Sequence, residues 1–260
     1  MERKDFLKNS LGFLGMALIL PKLSSCSSDD STTVIDDGSG TGNENGGGTG
    51  SENPGGGNTT TDCTSWPTET EGPFPTKNPS QYQITDIKGD RTGIACEIKI
   101  KIEDVNSACD PAEGIFVDIW HCDKDGDYSQ YGATNMQQTD YRNYNFLRGR
   151  QTTASDGYVT FQSIFPGWYQ GRATHIHVHI YKANGTSLKV TQIAFPEGTN
   201  SAVNLVNAAT SYGYTKGMSG YTYNTNDNVF SDDTTGQQIA DVTGSIANGY
   251  VVEAIIKVAV

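Results

Sequence analysis

Three of the four histidines in this 260-residue chain stand at every second position, at His175, His177 and His179. On a β-strand, residues two apart project from the same face, so His175 and His177 can both reach one metal ion. Imidazoles at this spacing are typical of metal sites, although three polar side chains on a solvent-facing strand would give the same pattern. The concentration of three histidines beside Arg172 favours the metal interpretation.

The neighbouring residue types restrict which metal this could be. No Asp or Glu alternates with the histidines, and the chain has no Cys-x-x-Cys pair, which argues against a thiolate zinc site. Tyrosine is plentiful, and phenolate is a hard anionic ligand that suits a highly charged ion. A free tyrosine titrates at about pH 10, but a trivalent cation lowers that pKa strongly. Spacing alone does not select ligands among the 13 tyrosines.

The elements that must position these residues have the pattern of an all-β protein. Residues 94–103 carry Ile or Cys at every second position, and from residue 97 these alternate with Glu or Lys, which is the period of a strand with one buried face. Further strands are predicted at 115–120, 158–164, 175–181, 188–195 and 251–260, the first covered on both faces. A short helix is predicted near 201–210. Many short strands separated by turns favour a β-sandwich or barrel.

Several segments then match a known family in their order along the chain. They are residues 70–74 (TEGPF), 114–129 (GIFVDIWHCDKDGDYS), 146–151 (FLRGRQ), 156–161 (DGYVTF), 166–169 (PGWY), 172–177 (RATHIH) and 191–195 (TQIAF). Together they resemble the intradiol ring-cleavage dioxygenases, the superfamily of catechol and protocatechuate dioxygenases. The combined order GxY, PGxY and RxxHxH carries the resemblance, which runs from about residue 66 to the C-terminus. It implies an all-β fold with an immunoglobulin- or transthyretin-like sandwich core, long loops and at most short helices.

The resemblance also implies roles for individual residues. One non-haem Fe(III) ion per chain would be bound by four ligands, Tyr128, Tyr169, His175 and His177. Tyr169 would leave the metal when substrate chelates it, which gives it a catalytic role. Arg172 would stabilise charge that develops on the substrate ring, with assistance from Gln192, and Gly72 and Pro73 would line the substrate pocket.

The implied reaction opens a catechol-type ring between its two hydroxylated carbons with O2 and gives a muconate-type product. Its partners would be a small aromatic diol and O2. Two alternatives stay open: a zinc enzyme with His175, His177 and His179 as ligands, and an exported non-catalytic β-sandwich binding module. In the family pattern His179 has no ligand role and is structural. His121 directly follows Trp120 and is expected to be a packed residue or to contact a ligand. The physiological catechol and the oligomeric state are left open by the sequence.

The first 61 residues are predicted to form an export signal and a linker. Residues 1–26 combine a basic start with an apolar run at 11–20, which is shorter than the roughly 20 residues that span a bilayer. Residues 23–26 (LSSC) resemble a bacterial lipoprotein cleavage box, which predicts a lipid anchor at Cys26 on an exported protein facing the periplasm or the cell surface. An ordinary secretory signal is the alternative. Residues 27–61 hold ten of the 30 glycines, which predicts a flexible linker. Residues 62–260 are predicted to form the folded domain.

The net charge restricts the possible partners, and the cysteine content bears on the cellular compartment. The net charge of -12 argues against nucleic-acid binding, which depends on basic surfaces. Besides Cys26, four cysteines remain, which allows two disulfides in an exported protein. Cys109 and Cys122 flank one predicted strand and are the preferred pair, with Cys63 and Cys96 as the other two cysteines.

Overall fold

A computed structural model describes residues 63–260. The predicted signal segment 1–26, with Cys26, and the predicted linker 27–61 lie outside the described residues. Within residues 63–260 the chain forms nine strands, one short α-helix and four single 3₁₀ turns. The strands are β1 (Ala95–Asp104), β2 (Asp110–Pro111), β3 (Phe116–Trp120), β4 (Arg148–Thr152), β5 (Tyr158–Ile164), β6 (His175–Tyr181), β7 (Ser187–Ala194), β8 (Asp241–Ser245) and β9 (Gly249–Val258).

The strands form two sheets. In the first, the order is β2-β1-β9-β8, with β5 also paired to β1, and β1 runs parallel to β9. In the second, the order is β4-β3-β6-β7, and all neighbours are antiparallel. The prediction of an all-β sandwich is therefore confirmed.

The core lies between the sheets, and the outer face of the second sheet carries a separate cluster. On β6, Ile176, Val178 and Ile180 are fully buried in the main apolar core. Because side chains alternate along a strand, the histidines of β6 face the opposite side. That side holds a second buried cluster, which consists of Phe74, Trp120, Cys122, Tyr128 and Tyr169. β3 is buried on both faces for this reason, as the sequence predicts.

Most predicted strands are present with small differences at their ends. β1 buries Cys96, Ile98, Ile100 and Ile102 and leaves the charged residues between them partly exposed. The helix predicted near 201–210 is shorter, α1 at Ala202–Asn207, and the Ser201 side chain accepts a hydrogen bond from the Asn204 backbone at its start. β2, β4 and β8 were not predicted, because their sequences (DP, RGRQT and DVTGS) lack an apolar alternation. None of the helices in residues 63–260 is long and apolar enough to cross a membrane.

The preferred disulfide Cys109–Cys122 is wrong, because Cys109 bonds to Cys63, with Cα atoms 5.8 Å apart. Cys122 lies in the buried cluster that contains Tyr128, whereas Cys109 lies in the turn between β1 and β2. Cys122 and Cys96 are free and buried.

Candidate metal centre

His175 and His177 converge on the outer face of β6. Their Nε2 atoms lie 3.1 Å apart, and each residue is 1% exposed. The Nδ1–H of His175 donates to the Ala173 carbonyl at 2.6 Å, so its Nε2 carries a lone pair that points into the centre. The ring of His177 stacks on Trp120, with centroids 4.9 Å apart and an interplanar angle of 2°. Two imidazole nitrogens are thus oriented towards one point by neighbours outside the pair.

Tyr128 reaches the same point from the loop after β3. Its hydroxyl lies 3.2 Å from Nε2 of His175, and the residue is fully buried. Its backbone N–H and carbonyl both bond to the side chain of Gln137, at 2.7 and 2.9 Å. The ring of Phe74 stacks on it at 4.9 Å. Hydrogen bonds therefore hold the backbone of Tyr128, and packing holds its ring.

Tyr169 packs edge-on against two of these residues. Its ring centroid lies 5.8 Å from that of Tyr128 and 5.5 Å from that of His175. Its hydroxyl is 3.5 Å from an NH1 of Arg172, and the residue is 4% exposed. The four predicted ligands, drawn from three segments of the chain, therefore lie together.

Two glycines allow the tyrosine-bearing segments to approach each other. Gly126 has φ +91°, and a Cβ there would lie 2.4 Å from the Trp168 carbonyl oxygen. A Cβ on Gly167 would lie 2.5 Å from the Lys124 carbonyl oxygen. Each glycine thus faces backbone of the other segment. This close approach explains in physical terms why both tyrosine motifs contain glycine.

Burial disfavours charge on all four candidate ligands. It lowers the pKa of His175 and of His177 well below the usual value, and the charge of Arg172 adds to this for both. Burial likewise raises the pKa of Tyr169, and raises that of Tyr128 well above its usual value. Because the two Nε2 atoms lie 3.1 Å apart, only one of them can carry a proton. A multivalent cation would satisfy both lone pairs and would stabilise the phenolates, so this donor set fits a hard trivalent ion.

The residues predicted on the substrate side lie beside this centre. Arg172 NH2 donates to Gln192 Oε1 at 2.6 Å, and Gln192 Nε2 donates to the Thr70 carbonyl at 2.9 Å. Gly72 follows with φ +68°, and a Cβ there would lie 2.9 Å from Cε1 of His177. Pro73 comes next and is exposed. The segment 70–73 therefore borders the candidate ligands.

Asp227 is a residue that sequence reasoning missed. Its carboxylate is fully buried and accepts from Nε of Arg172 at 2.9 Å and from the Ala173 backbone N–H at 2.7 Å. It lies 55 residues after Arg172 in a loop without a recognisable motif. Only the three-dimensional arrangement brings it to the site. Trp120 and Phe74 lie within segments that match the family. Nothing in the sequence indicated that their rings pack against the candidate ligands.

His179 lies apart from the other two histidines of β6. Its Nδ1 is 2.7 Å from the Tyr181 hydroxyl and 2.9 Å from a Glu71 carboxylate oxygen, and its Nε2 is 2.8 Å from Ser187 Oγ. In residues 63–260, no group of three His, Cys, Asp or Glu side chains converges as a metal site would require. The alternative of a three-histidine zinc enzyme is therefore not favoured.

His121 is a packed residue. Its Nδ1–H donates to the Cys122 carbonyl, and its Nε2 accepts from Ser163 Oγ, both at 2.8 Å. Burial lowers its pKa to about 4. The ring is thus neutral and fully hydrogen-bonded within the fold.

Comparison with known proteins identifies the family. A sequence profile of the family described as dioxygenase matches residues 70–228, more than half of the chain. Chlorocatechol 1,2-dioxygenase from Rhodococcus opacus is 28% identical over 160 residues. The match covers 54% of this chain and 57% of that relative, so the chain spans little more than half the length of the curated relative it matches.

Solved structures share the fold. The intradiol ring-cleavage dioxygenase from Tetranychus urticae superposes with a TM-score of 0.64 at 28% identity, over 76% of this chain and 95% of that chain. The dioxygenase domain of a dioxygenase carbohydrate-binding protein fusion from Streptomyces sp. SirexAA-E has a TM-score of 0.51 at 23% identity, over 76% and 99% of the two chains, which indicates a common fold. Profile, relative and fold agree, and the chain belongs to the intradiol ring-cleavage dioxygenase superfamily.

Proposed function

We propose that this protein is a non-haem Fe(III) dioxygenase that cleaves a catechol-type ring between its two hydroxylated carbons. Both atoms of O2 would enter the product, a muconate-type diacid. The observation that carries the proposal is that the Tyr128 hydroxyl and His177 Nε2 each lie within 3.2 Å of His175 Nε2, in a chain of this superfamily.

Tyr128, Tyr169, His175 and His177 would hold the iron. A ferric ion bound there supplies a Lewis acid and a template for two adjacent diol oxygens. The remaining chemistry belongs to the protein. Burial excludes water from the centre, since the four side chains are 0–4% exposed. The low dielectric strengthens each electrostatic contact inside it.

Proton transfer and charge stabilisation fall to Tyr169 and Arg172. The Tyr169 oxygen would accept a proton from the diol, and the guanidinium 3.5 Å away stabilises that oxygen while it is anionic. Burial by itself would lower the pKa of Arg172, but the charges of Tyr169 and Asp227 outweigh it, and this pKa is raised. Arg172 therefore stays cationic and can stabilise negative charge that develops on the ring. Gln192 and Asp227 fix its orientation.

Oxygen consumption tests this proposal. The iron-loaded protein with catechol should consume one O2 per diol without an added reductant and release a ring-opened diacid. His177→Ala should lose this activity, because it removes one of the converging nitrogens. A protein that is loaded with iron and takes up no oxygen with any simple catechol would contradict the proposal.

We also propose that the protein is exported and anchored through Cys26, with residues 27–61 as a linker to the domain at 62–260. The Cys63–Cys109 disulfide supports export, since disulfides persist in oxidising compartments. Labelling with a radioactive fatty acid should mark the wild-type chain, and Cys26→Ser should abolish the label. An unlabelled wild-type chain would contradict the anchor.

A further inference from the structure

The third histidine of β6 is not a candidate ligand, but both of its ring nitrogens are hydrogen-bonded. Nδ1 of His179 lies 2.9 Å from a Glu71 carboxylate oxygen and 2.7 Å from the Tyr181 hydroxyl. Its Nε2 lies 2.8 Å from Ser187 Oγ. The Tyr181 ring stacks on the imidazole with centroids 3.9 Å apart, and His179 is 8% exposed. The imidazole is therefore a rigid point on the outer face of the second sheet.

The contact between Glu71 and His179 defines which ring nitrogen carries the proton. A carboxylate only accepts hydrogen bonds, so the proton lies on Nδ1, where Glu71 and the Tyr181 oxygen share it. The Nε2 lone pair then accepts from the Ser187 hydroxyl. Within residues 63–260, the Glu71 carboxylate has no other hydrogen-bond or ion-pair partner. In this part of the chain, His179 alone holds it.

The segment 70–73 touches the candidate centre on both sides of Glu71. The preceding carbonyl accepts a hydrogen bond from Gln192 Nε2 at 2.9 Å. The following residue, Gly72, packs so closely on His177 that a Cβ there would lie 2.9 Å from Cε1 of the ring. Any displacement of the Glu71 backbone therefore changes what borders the centre.

We infer that the hydrogen bond between Glu71 and His179 holds the segment 70–73 against the candidate centre, and that these two are positioning residues for diol binding. This inference rests on the proposed function. Both residues act through the backbone on either side of Glu71. Because His179 is already fixed by its other neighbours, the entropy cost of the contact falls mainly on the Glu71 side chain, which is 46% exposed.

Hydrogen exchange tests the contact in the full chain, with iron and without it. Glu71→Ala and His179→Ala should each make the backbone amides of residues 69–72 exchange several-fold faster than in the wild type, because a segment with fewer contacts opens more often. The Glu69 N–H reports on this opening, since it donates to the Val190 carbonyl at 2.8 Å. The double variant should exchange no faster than either single variant, because both changes remove the same contact.

Two further variants separate the contact from other effects of substitution. Glu113→Ala removes a carboxylate at an exposed position between β2 and β3 and should leave the exchange of the segment unchanged. His179→Asn keeps an N–H donor near the position of Nδ1, so its exchange should be within about twofold of the wild type. Urea unfolding of each variant shows whether the fold as a whole is retained.

Diol binding tests the functional part of the inference. Catechol is titrated under nitrogen into the iron-loaded full chain, and the change in visible absorption is followed. Glu71→Ala and His179→Ala should each raise the dissociation constant about fivefold, which is the effect of one partly exposed polar contact, with iron content retained. KM should rise in parallel while kcat changes little, because Arg172 and Tyr169 keep their places. His179→Asn should bind catechol nearly as tightly as the wild type.

The outcomes distinguish this inference from the proposed function. Exchange in Glu71→Ala equal to that in Glu113→Ala, or wild-type catechol affinity in both alanine variants at the contact, would overturn the inference and leave the proposed function standing. A lower urea midpoint with unchanged affinity would also overturn it, because the pair would then only stabilise the fold. If catechol does not change the spectrum of the wild type, the proposed function fails and the inference fails with it.

Discussion

At the scale of single residues, three of the four candidate ligands are oriented by a neighbour that is not itself a ligand. Ala173 accepts the Nδ1 proton of His175, and the Trp120 ring fixes the plane of His177. Phe74 stacks on Tyr128. Ligands held in this way do not need the metal to define their geometry, and supporting contacts of this kind tune metal affinity in proteins. The ligand types could be inferred from sequence, whereas these supporting contacts could not, since they join distant segments.

Asp227→Asn should impair the reaction more than it impairs metal binding. The amide keeps the size of the carboxylate but removes the negative charge that balances Arg172. The ion pair between the two residues is buried. Loss of one partner of a buried ion pair costs about 3 kcal/mol or more. We expect kcat/KM with catechol to fall at least about tenfold, with iron content retained. The control is Asp140→Asn, which breaks the exposed pair with Arg142 and should change neither stability nor rate.

The neutral His121 predicts a pH dependence of stability in the metal-free protein. Burial lowers its pKa from 6.5 to about 4, so below pH 6.5 the unfolded chain binds a proton that the folded chain does not. The stability that this residue contributes is therefore fully present above pH 6.5 and is lost as the pH falls towards 4, by about 3 kcal/mol. Urea unfolding from pH 7 to pH 4 measures the slope. A slope as steep in His121→Gln as in the wild type would show that another group is responsible.

At the scale of elements, close packing between loops decides where the tyrosines lie. β6 positions two histidines through the period of a strand, which the sequence predicts directly. The tyrosines lie on loops, and their approach depends on Gly126 and Gly167. A sequence pattern shows these glycines but not the backbone each one faces. The polar edge strands β4 and β8 were missed for a related reason, because pairing with a neighbour, rather than burial of alternate residues, makes them strands.

Gly72→Ala should disturb the site through His177. The added Cβ would lie 2.9 Å from Cε1 of that ring, so the ring must move or the segment must shift. Gly114→Ala is the matched control, because Gly114 also has a positive φ, +76°, but faces open space. Both variants should lose about 1 kcal/mol of stability from the backbone conformation. Only Gly72→Ala should lower iron affinity, measured by competition with a chelator, and equal affinities in the two variants would argue against this contact.

At the scale of the whole molecule, the described domain is a sandwich whose N-terminal end is covalently tied. The order of motifs along the chain was sufficient to predict the fold and the family, because strand alternation and motif order are properties of the sequence itself. The pairing of cysteines was not predictable, since it depends on which loops meet in space. The Cys63–Cys109 bond joins the first described residue to the turn between β1 and β2.

Reduction of this disulfide should destabilise the domain. The bond closes a loop with a sequence separation of 46, for which the loop-entropy relation gives about 4 kcal/mol. A reductant should lower the urea midpoint of the wild type to that of Cys63→Ser, and it should leave the Cys63→Ser midpoint unchanged. Cys96→Ser serves as the control for loss of a free buried thiol and should still respond to the reductant.

The most direct test of the iron site is the visible spectrum of the iron-loaded protein. Phenolate bound to ferric iron gives a tyrosinate-to-iron charge-transfer band, so the wild type should be red-brown with about one iron per chain. Tyr128→Phe should remove or strongly shift the band, whereas Tyr212→Phe, at an exposed position, should leave it unchanged. A colourless iron-loaded protein, or a Tyr128→Phe spectrum identical to that of the wild type, would contradict the tyrosinate–iron centre.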